Sequence, residues 1–153
     1  MPVLAINKRA KFDYEIISSH EAGVVLFGHE VKSIKTRKPS MKGSFVTIKS
    51  SGKNAELFLT NCHISLYDKT TTVENYNPER PRKLLMHRKE IDKLIGKKQE
   101  QGLTLVPIKI YTKGNLIKLE FGVGRGKKKH DKREDIKKRD TDRQIRRVMK
   151  ERR

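Results

Sequence analysis

The chain has 153 residues, a single cysteine, Cys62, and no tryptophan. One cysteine excludes an internal disulfide and a zinc site built on cysteine ligands, so we expect a small buried thiol at this position. No apolar run approaches the roughly 20 residues that cross a bilayer. The N-terminal segment also lacks the apolar core of a signal peptide. We therefore expect an intracellular, cytoplasmic protein without a membrane partner.

Acidic residues are scarce as well. The sequence has 18 Asp and Glu against 37 Lys and Arg, and its formal net charge is +19. A field of this sign attracts polyphosphates, which makes a nucleic acid the expected partner. The physics of the sequence alone favours RNA over DNA.

The chain divides into two regions of different composition. Residues 127–153 have fourteen Lys or Arg and six Asp or Glu, with Ile136, Ile145, Val148 and Met149 as their aliphatic residues. Such a segment cannot bury a core of its own. Residues 1–126 hold nearly all the large apolar side chains. We predict a globular RNA-binding domain over 1–126 and a basic C-terminal tail over 127–153.

Within the globular region, short stretches alternate with the period of two that a half-buried strand requires. FDYEII, FVTIK and ELFLT show this pattern. LTLVPIKIY and LIKLEFGV flank 112–115, where Gly114 permits a tight hairpin. Pro107 cannot donate to a ladder, so its strand should be bulged or at an edge. The spacing predicts helices over 29–37 and about 84–101, the second capped by Gly102.

These elements predict a mainly β fold, a small antiparallel barrel or curved sheet with accessory helices. A polar connection between the third strand and the longer helix, from about 66 to 83, exceeds the roughly 12 to 15 residues usual for plain loops. It should be either mobile or functional.

Catalytic motifs are missing from the sequence. The five histidines show no metal-ligand spacing, and no GxSxG nucleophile motif exists. GVGRGKK is one position too short for a phosphate loop and is better explained as a strand end. We predict a protein that is not an enzyme and has no metal and no cofactor.

Nucleic-acid binding is supported by four separate basic clusters, NKRAK, KTRKPSMK, RPRK and the tail. Lysine and arginine neutralise phosphates with little sequence preference. Lys8 and Arg9 in the first cluster, and Arg82 and Lys83 in the third, are therefore candidate RNA-binding residues. The pattern indicates recognition of RNA shape rather than of bases.

Six blocks of the sequence resemble the SmpB family of bacterial transfer-messenger RNA (tmRNA)-binding proteins. They are NKRA (7–10), EAG (21–23), EVKSI (30–34), RPRKLLMH (80–87), GLTLVPIKIY (102–111) and GKKKHDKRE (126–134). The resemblance implies an oligonucleotide-binding (OB)-like barrel and a non-enzymatic role in trans-translation. In that role the protein holds the tRNA-like domain of tmRNA and escorts it to stalled ribosomes. It also implies elongation factor Tu and alanyl-tRNA synthetase as partners through tmRNA, and we expect a monomer.

By position in EAG, RKLLM and LIKLE, the resemblance assigns Glu21, Leu85 and Lys118 to RNA binding. The strand pattern already points Lys118 outward, where it can pair with phosphate. Glu21 has the wrong charge for phosphate, so it should accept from a base or ribose or orient a neighbouring cation. Leu85 could equally be a core residue.

The tail has the charge order of a conditional helix. Asp131 and Glu134 fit a start that resembles a capping box, but favourable and like-charged i, i+4 pairs nearly cancel. We predict a tail that is disordered when free and helical in an RNA-lined channel.

The resemblance implies that this channel is the empty mRNA path near the decoding centre of the small subunit. The tail residues that it assigns to ribosome contact are Gly126, His130, Asp131, Lys132, Arg133, Val148 and Met149, with a hinge at 131–133. Another ribosome-associated or ribosomal RNA-binding protein would share the charge and the tail, and an RNA-modifying enzyme is a further alternative from a different class.

Overall fold

The computed structural model describes residues 2–51, 54–67, 74–99 and 102–151. These residues form eleven elements, which in chain order are β1 (Val3–Ile6), α1 (Ala10–Asp13), β2 (Tyr14–Val24), α2 (Gly28–Thr36), β3 (Phe45–Ser51), β4 (Asn54–Thr60), β5 (Arg82–Leu85), α3 (Arg88–Lys98), β6 (Leu103–Lys113), β7 (Leu116–Gly126) and α4 (Lys129–Glu151).

The strands form one antiparallel sheet in the order β1-β6-β7-β2-β5-β4-β3. The predicted mainly β fold with accessory helices is confirmed. β1 and β3 are the two edges of the sheet, and no ladder joins them in the part of the chain that the structure describes. Closure of this sheet into an OB-like barrel therefore stays a prediction.

The hairpin of β6 and β7 forms as predicted. Lys113 pairs with Leu116, and Gly114 takes a φ of 61°, which a glycine adopts without steric cost. Pro107 lies at a register shift of this ladder, so the predicted bulge is confirmed. The ladder between β1 and β6 covers only Lys109–Tyr111, so Pro107 lies beyond it and pairs with Phe121 of β7.

Two predicted elements differ in the structure. The strand at FDYEII begins only at Tyr14, because residues 10–13 turn into α1, where Arg9 and Asp13 form an i, i+4 ion pair at 3.4 Å. The helix predicted over 84–101 is β5 followed by α3. Leu84 pairs with Leu57 of β4 and with Val24 of β2, and these partners are far away in the sequence.

The helix over 29–37 is confirmed as α2, whereas α3 ends at Lys98, before the Gly102 that was expected to cap it. Residues 68–73, in the middle of the long polar connection, lie outside the described residues. The question of whether this connection is mobile or functional stays open there.

The core lies between one face of the sheet and the helices α2 and α3. Ile117, Leu119, Phe121 and Val123 share this face as predicted, and all four are buried. Cys62 is also buried, and desolvation raises the pKa of its thiol to about 11, which keeps it protonated and unreactive. A second, smaller apolar cluster of Ala10, Val106 and Ile108 fixes α1 against β6.

The glycines of β7 allow β2 to pass close by. A Cβ placed on Gly122 would lie 2.8 Å from Cγ2 of Ile16 and 3.0 Å from the carbonyl oxygen of Ser18. The segment GVGRG is thus strand, as expected, and its glycines permit the close approach of two backbones.

We therefore expect Gly122→Ala to lower the free energy of unfolding by about 1 to 3 kcal/mol, because the added methyl overpacks against a backbone that cannot move alone. Chemical denaturation measures this change. Gly96→Ala is the matched control, since Gly96 lies inside α3 with open space around it and alanine favours a helix interior by about 1 kcal/mol. Equal stability of the two variants would contradict the packing argument.

Candidate nucleic-acid interface

An open pocket of about 670 Å³ lies where β2, β5, α3 and β7 meet. We call it the Lys118 pocket. Its lining residues are Ser19, His20, Glu21, Leu85, Met86, His87, Glu90 and Lys118. The three residues that family resemblance assigned to RNA binding therefore come together here from three different strands. They are more than 30 positions apart in sequence, and the sheet order alone makes them neighbours.

The carboxylate of Glu21 is oriented by three groups around it. The hydroxyl of Tyr111 donates a hydrogen bond to it, and the ammonium groups of Lys113 and Lys118 lie 3.6 and 4.0 Å from its Oε1. The Tyr111 hydrogen bond is the main reason that the pKa of Glu21 is lowered, with the two lysines adding to the effect. Glu21 is thus ionised at neutral pH and acts as a fixed acceptor that also positions Lys118.

Leu85 lies beside this charged cluster with 56% of its surface exposed. The alternative that it is a core residue is therefore wrong. It pairs with Gly23 of β2, and β5 alternates so that Arg82 and Leu84 are buried while Leu85 points outward. An exposed leucine next to a lysine and a carboxylate gives the pocket one apolar wall, which suits the face of a base or a ribose.

Sequence reasoning missed His20, His87 and Glu90. His20 is half-buried, its Nε2 lies 3.1 Å from the Ser18 hydroxyl, and its ring packs on Phe121. Burial is the main cause that lowers the pKa of His20, and the charge of Lys97 lowers it further, so the ring is neutral at pH 7. A neutral imidazole at this position can exchange hydrogen bonds with bases or ribose hydroxyls. The sequence signal that could have identified His20 is its position directly before Glu21 in the segment HEAG.

Arg82 does not belong to this interface, contrary to the sequence prediction. Its side chain is completely buried. Its Nε and Nη2 donate to Oε2 of Glu30 at 3.0 and 2.6 Å, and its Nη1 donates to the carbonyl of Cys62 at 2.5 Å. A guanidinium in this position cannot touch RNA, because its forked donors are used inside the protein. Lys83, the next residue, is exposed and lies 3.3 Å from Glu56.

A second pocket, of about 420 Å³, lies on the other side of Ser19. We call it the Arg139 pocket. Lys8, one of the predicted residues, lines it together with Lys11, Lys109 and Arg139. Arg9, the next residue, is exposed; it pairs with Asp13, and its guanidinium lies 4.9 Å from the centre of the Phe12 ring.

The predicted tail residues are placed on or next to α4. Gly126 ends β7 opposite Tyr14 and α4 begins at Lys129, so residues 127–128 connect the strand to the helix, and the expected hinge at 131–133 lies within α4. His130 lies 3.6 Å from Glu134, and Lys132 lies 3.3 Å from Asp13 of α1. Asp131 and Arg133 are exposed in the first turns, and Val148 and Met149 are exposed near the end. The disorder of the free tail stays a prediction.

In the described ranges, no three His, Cys, Asp or Glu side chains are grouped so that they could hold a metal ion. Nor does any described helix have the length and apolar character needed to cross a membrane.

An antiparallel sheet with one pocket lined by four lysine and arginine residues, and an adjoining pocket that combines Lys118 with Glu21 and Leu85, defines a small protein with the surface chemistry of nucleic-acid binding. Comparison with known proteins is in agreement. Residues 4–151 match the SmpB protein family. The SsrA-binding proteins of Microcystis aeruginosa and Geobacillus thermodenitrificans are 47% and 49% identical to this chain, and the matches span 97% and 98% of it and 94% of each relative.

The SsrA-binding protein of Thermosipho melanesiensis is 49% identical, with 98% of this chain and 99% of that relative covered. A solved structure described as "tmRNA-SmpB: a journey to the center of the bacterial ribosome" is similar with a TM-score of 0.66 and 41% identity, covering 89% of this chain and 95% of that one. The chain belongs to the SmpB family.

The buried Glu30 carboxylate supports the interface from within the core. Burial alone would raise its pKa, but hydrogen bonds from Arg80, the Phe27 amide and Arg82 outweigh this effect and lower the pKa to about 2. A depressed pKa means that the folded state favours the ionised form. The stabilisation that ionised Glu30 provides is therefore fully present above pH 4.5, the pKa of this group in the unfolded chain. It is lost as the pH falls toward 2.

We expect Glu30→Gln to lower the free energy of unfolding at pH 7 by about 3 to 5 kcal/mol, because it leaves Arg82 buried without a counter-ion. The variant should also lose less stability than the parent between pH 4.5 and 2. Denaturant titrations at several pH values measure both effects.

Glu56→Gln provides the matched control, since it breaks an exposed pair with Lys83 that contributes about 0 to 1 kcal/mol. A Glu30 variant as stable as this control would overturn the assignment of Glu30 as the central buried anion.

Proposed function

We propose that this protein binds the tRNA-like domain of tmRNA and delivers it to stalled ribosomes for trans-translation. The observation that carries the proposal is the Lys118 pocket, in which Glu21, Leu85 and Lys118 meet on one exposed surface. A cation for phosphate, a fixed acceptor for a base or ribose, and an apolar wall are the three contacts that recognition of folded RNA uses. The similarity to SsrA-binding proteins and to the tmRNA-SmpB structure supports it.

The proposed division of labour places RNA binding in residues 1–126 and ribosome recognition in residues 127–153. α4 is exposed along most of its length, and Ile145, Val148 and Met149 have no core around them. In the free protein the tail beyond its first turns should be disordered, because a charged helix without packing is marginal in water. On the ribosome it would be helical in the empty mRNA channel near the decoding centre, with Gly126, His130, Asp131, Lys132, Arg133, Val148 and Met149 as the contacting residues.

Several finer features belong to the same proposal. The curved sheet would be an OB-like barrel, and the protein would act as a monomer in the cytoplasm without catalytic activity of its own. Elongation factor Tu and alanyl-tRNA synthetase would be reached through tmRNA rather than by direct contact. Among the predicted cations, Lys8, Arg9 and Lys83 stay candidate RNA contacts because they are exposed.

Sequencing of the RNA that copurifies with the full-length protein tests the function directly. Enrichment of tmRNA over ribosomal RNA and transfer RNA is the expected result. Recovery of ribosomal RNA alone would favour the alternative, a different ribosome-associated RNA-binding protein.

Lys118→Ala should weaken binding to the tRNA-like domain and reduce the slope of log K against log salt by about one unit, because one phosphate contact is lost. Binding titrations over a range of salt concentrations measure the slope. Lys49→Ala is the control, since Lys49 lies on the edge strand β3, with three strands between it and β7, and its ammonium lies 4.9 Å from the centre of the Phe58 ring. A slope that is equal in the two variants would show that Lys118 touches no phosphate.

Removal of residues 131–153 should leave the affinity for the tRNA-like domain within about tenfold of the parent, since at most one or two phosphate contacts disappear. The same truncation should abolish peptide tagging in a reconstituted translation reaction on ribosomes stalled without a stop codon. Circular dichroism checks that the remaining sheet is folded. A loss of RNA affinity far beyond tenfold would contradict the proposed division.

A further inference from the structure

The two pockets adjoin each other at β2, and both extend onto β7. Ser19 lines both of them. It lies opposite Gly122, while Glu21 lies opposite Glu120 and Gly23 opposite Lys118. Because side chains two positions apart share a face, Ser19, Glu21 and Lys118 lie on the same side of the sheet. A strand of RNA that occupies the Lys118 pocket therefore has an exposed path past Ser19.

The Arg139 pocket, at the end of this path, has the chemistry of a phosphate site. Its charged residues are four cations, Lys8, Lys11, Lys109 and Arg139, and one carboxylate, Glu120. The carboxylate is already neutralised in part, because Oε2 of Glu120 lies 3.3 Å from Nζ of Lys109. Cations from the N-terminal segment, from β6 and from α4 thus converge on a space that an anion can fill.

The tail reaches this pocket because its first turns dock on α1. The amide of Lys127 donates to the carbonyl of Asp13 at 2.9 Å, and the side chain of Lys132 lies 3.3 Å from the Asp13 carboxylate. Three turns into α4, the guanidinium of Arg139 lies 5.4 Å from the centre of the Phe12 ring. A guanidinium held against an aromatic ring keeps its forked donors free to bind a phosphate oxygen pair.

We propose that the backbone of the bound RNA continues past Ser19 and places a phosphate in the Arg139 pocket, so that RNA binding and docking of the tail stabilise each other. This inference rests on the proposed function. Without an anion, the mutual repulsion of Lys8, Lys11 and Arg139 opposes docking. A phosphate bound between these three cations makes docking of α4 favourable instead, because each cation then has a counter-charge nearby.

The salt dependence of RNA binding tests the site with the full-length chain and a transcript of the tRNA-like domain. Arg139→Gln and Lys11→Gln should each reduce the slope of log K against log salt by about 0.7 to 0.9 units. The controls are Arg146→Gln, an exposed arginine farther along α4 and outside the pocket, and Lys49→Gln on β3. A slope for Arg139→Gln that equals the slope for Arg146→Gln would overturn the proposal.

The proposed function and this inference fail in different ways. A parent protein that binds the tRNA-like domain no better than a size-matched unrelated hairpin would refute the function. The difference in slope between Arg139→Gln and Arg146→Gln shows whether a phosphate binds in the Arg139 pocket. This comparison can be made with either RNA, because both RNAs bind through their backbones.

Amide hydrogen exchange tests the coupling to the tail. Addition of the RNA should slow exchange of the amides of residues 133–139 severalfold in the parent, because docking of α4 becomes more favourable. Lys11→Gln, which leaves the tail unchanged, should lose most of this protection, while Lys49→Gln should retain it. Exchange in this segment that does not respond to RNA would exclude the coupling.

Discussion

The buried Glu30 carboxylate is the constraint on which the interface depends. Taking charges out of water costs several kcal/mol per ion unless the remaining hydrogen-bond sites are filled. Here both oxygens are fully used: Oε1 accepts from the Phe27 amide and Arg80, and Oε2 accepts from Tyr76, Arg80 and Arg82. Glu30 of α2 thereby binds both the segment that precedes β5, through Tyr76 and Arg80, and β5 itself, through Arg82.

This cluster determines the position of Leu85. β5 has only four residues, and its ladder with β2 is limited to two register pairs, so hydrogen bonding to β2 constrains it weakly. The anchor at Arg82 and the burial of Leu84 hold the strand, and alternation then places Leu85 outward. Arg82, which the sequence suggested as an RNA contact, therefore acts indirectly. It holds β5 in place, and β5 presents Leu85 as the apolar wall of the Lys118 pocket.

Carboxylates elsewhere on the surface have a comparable organising effect. Glu21, Asp13 and Glu120 each lie within 4 Å of at least one lysine or arginine. Exposed ion pairs of this kind contribute little to stability, but they restrict where a long cationic side chain points. The high net charge supplies attraction to RNA over a distance, and these few acids give the cations near the two pockets a defined arrangement.

The sequence by itself determined the β periodicity, the hairpin at Gly114, the bulge at Pro107, the basic character and the division of composition at residue 127, because each depends on neighbours in the chain. The matching blocks indicated the family and three pocket residues. Only the tertiary structure decided that residues 82–85 form a strand, that Arg82 is buried while Leu85 is exposed, and that Ser19 connects two pockets. These outcomes depend on Glu30, Leu57 and Arg139, which are distant in sequence and meet only when the sheet assembles, so no local pattern could reveal them.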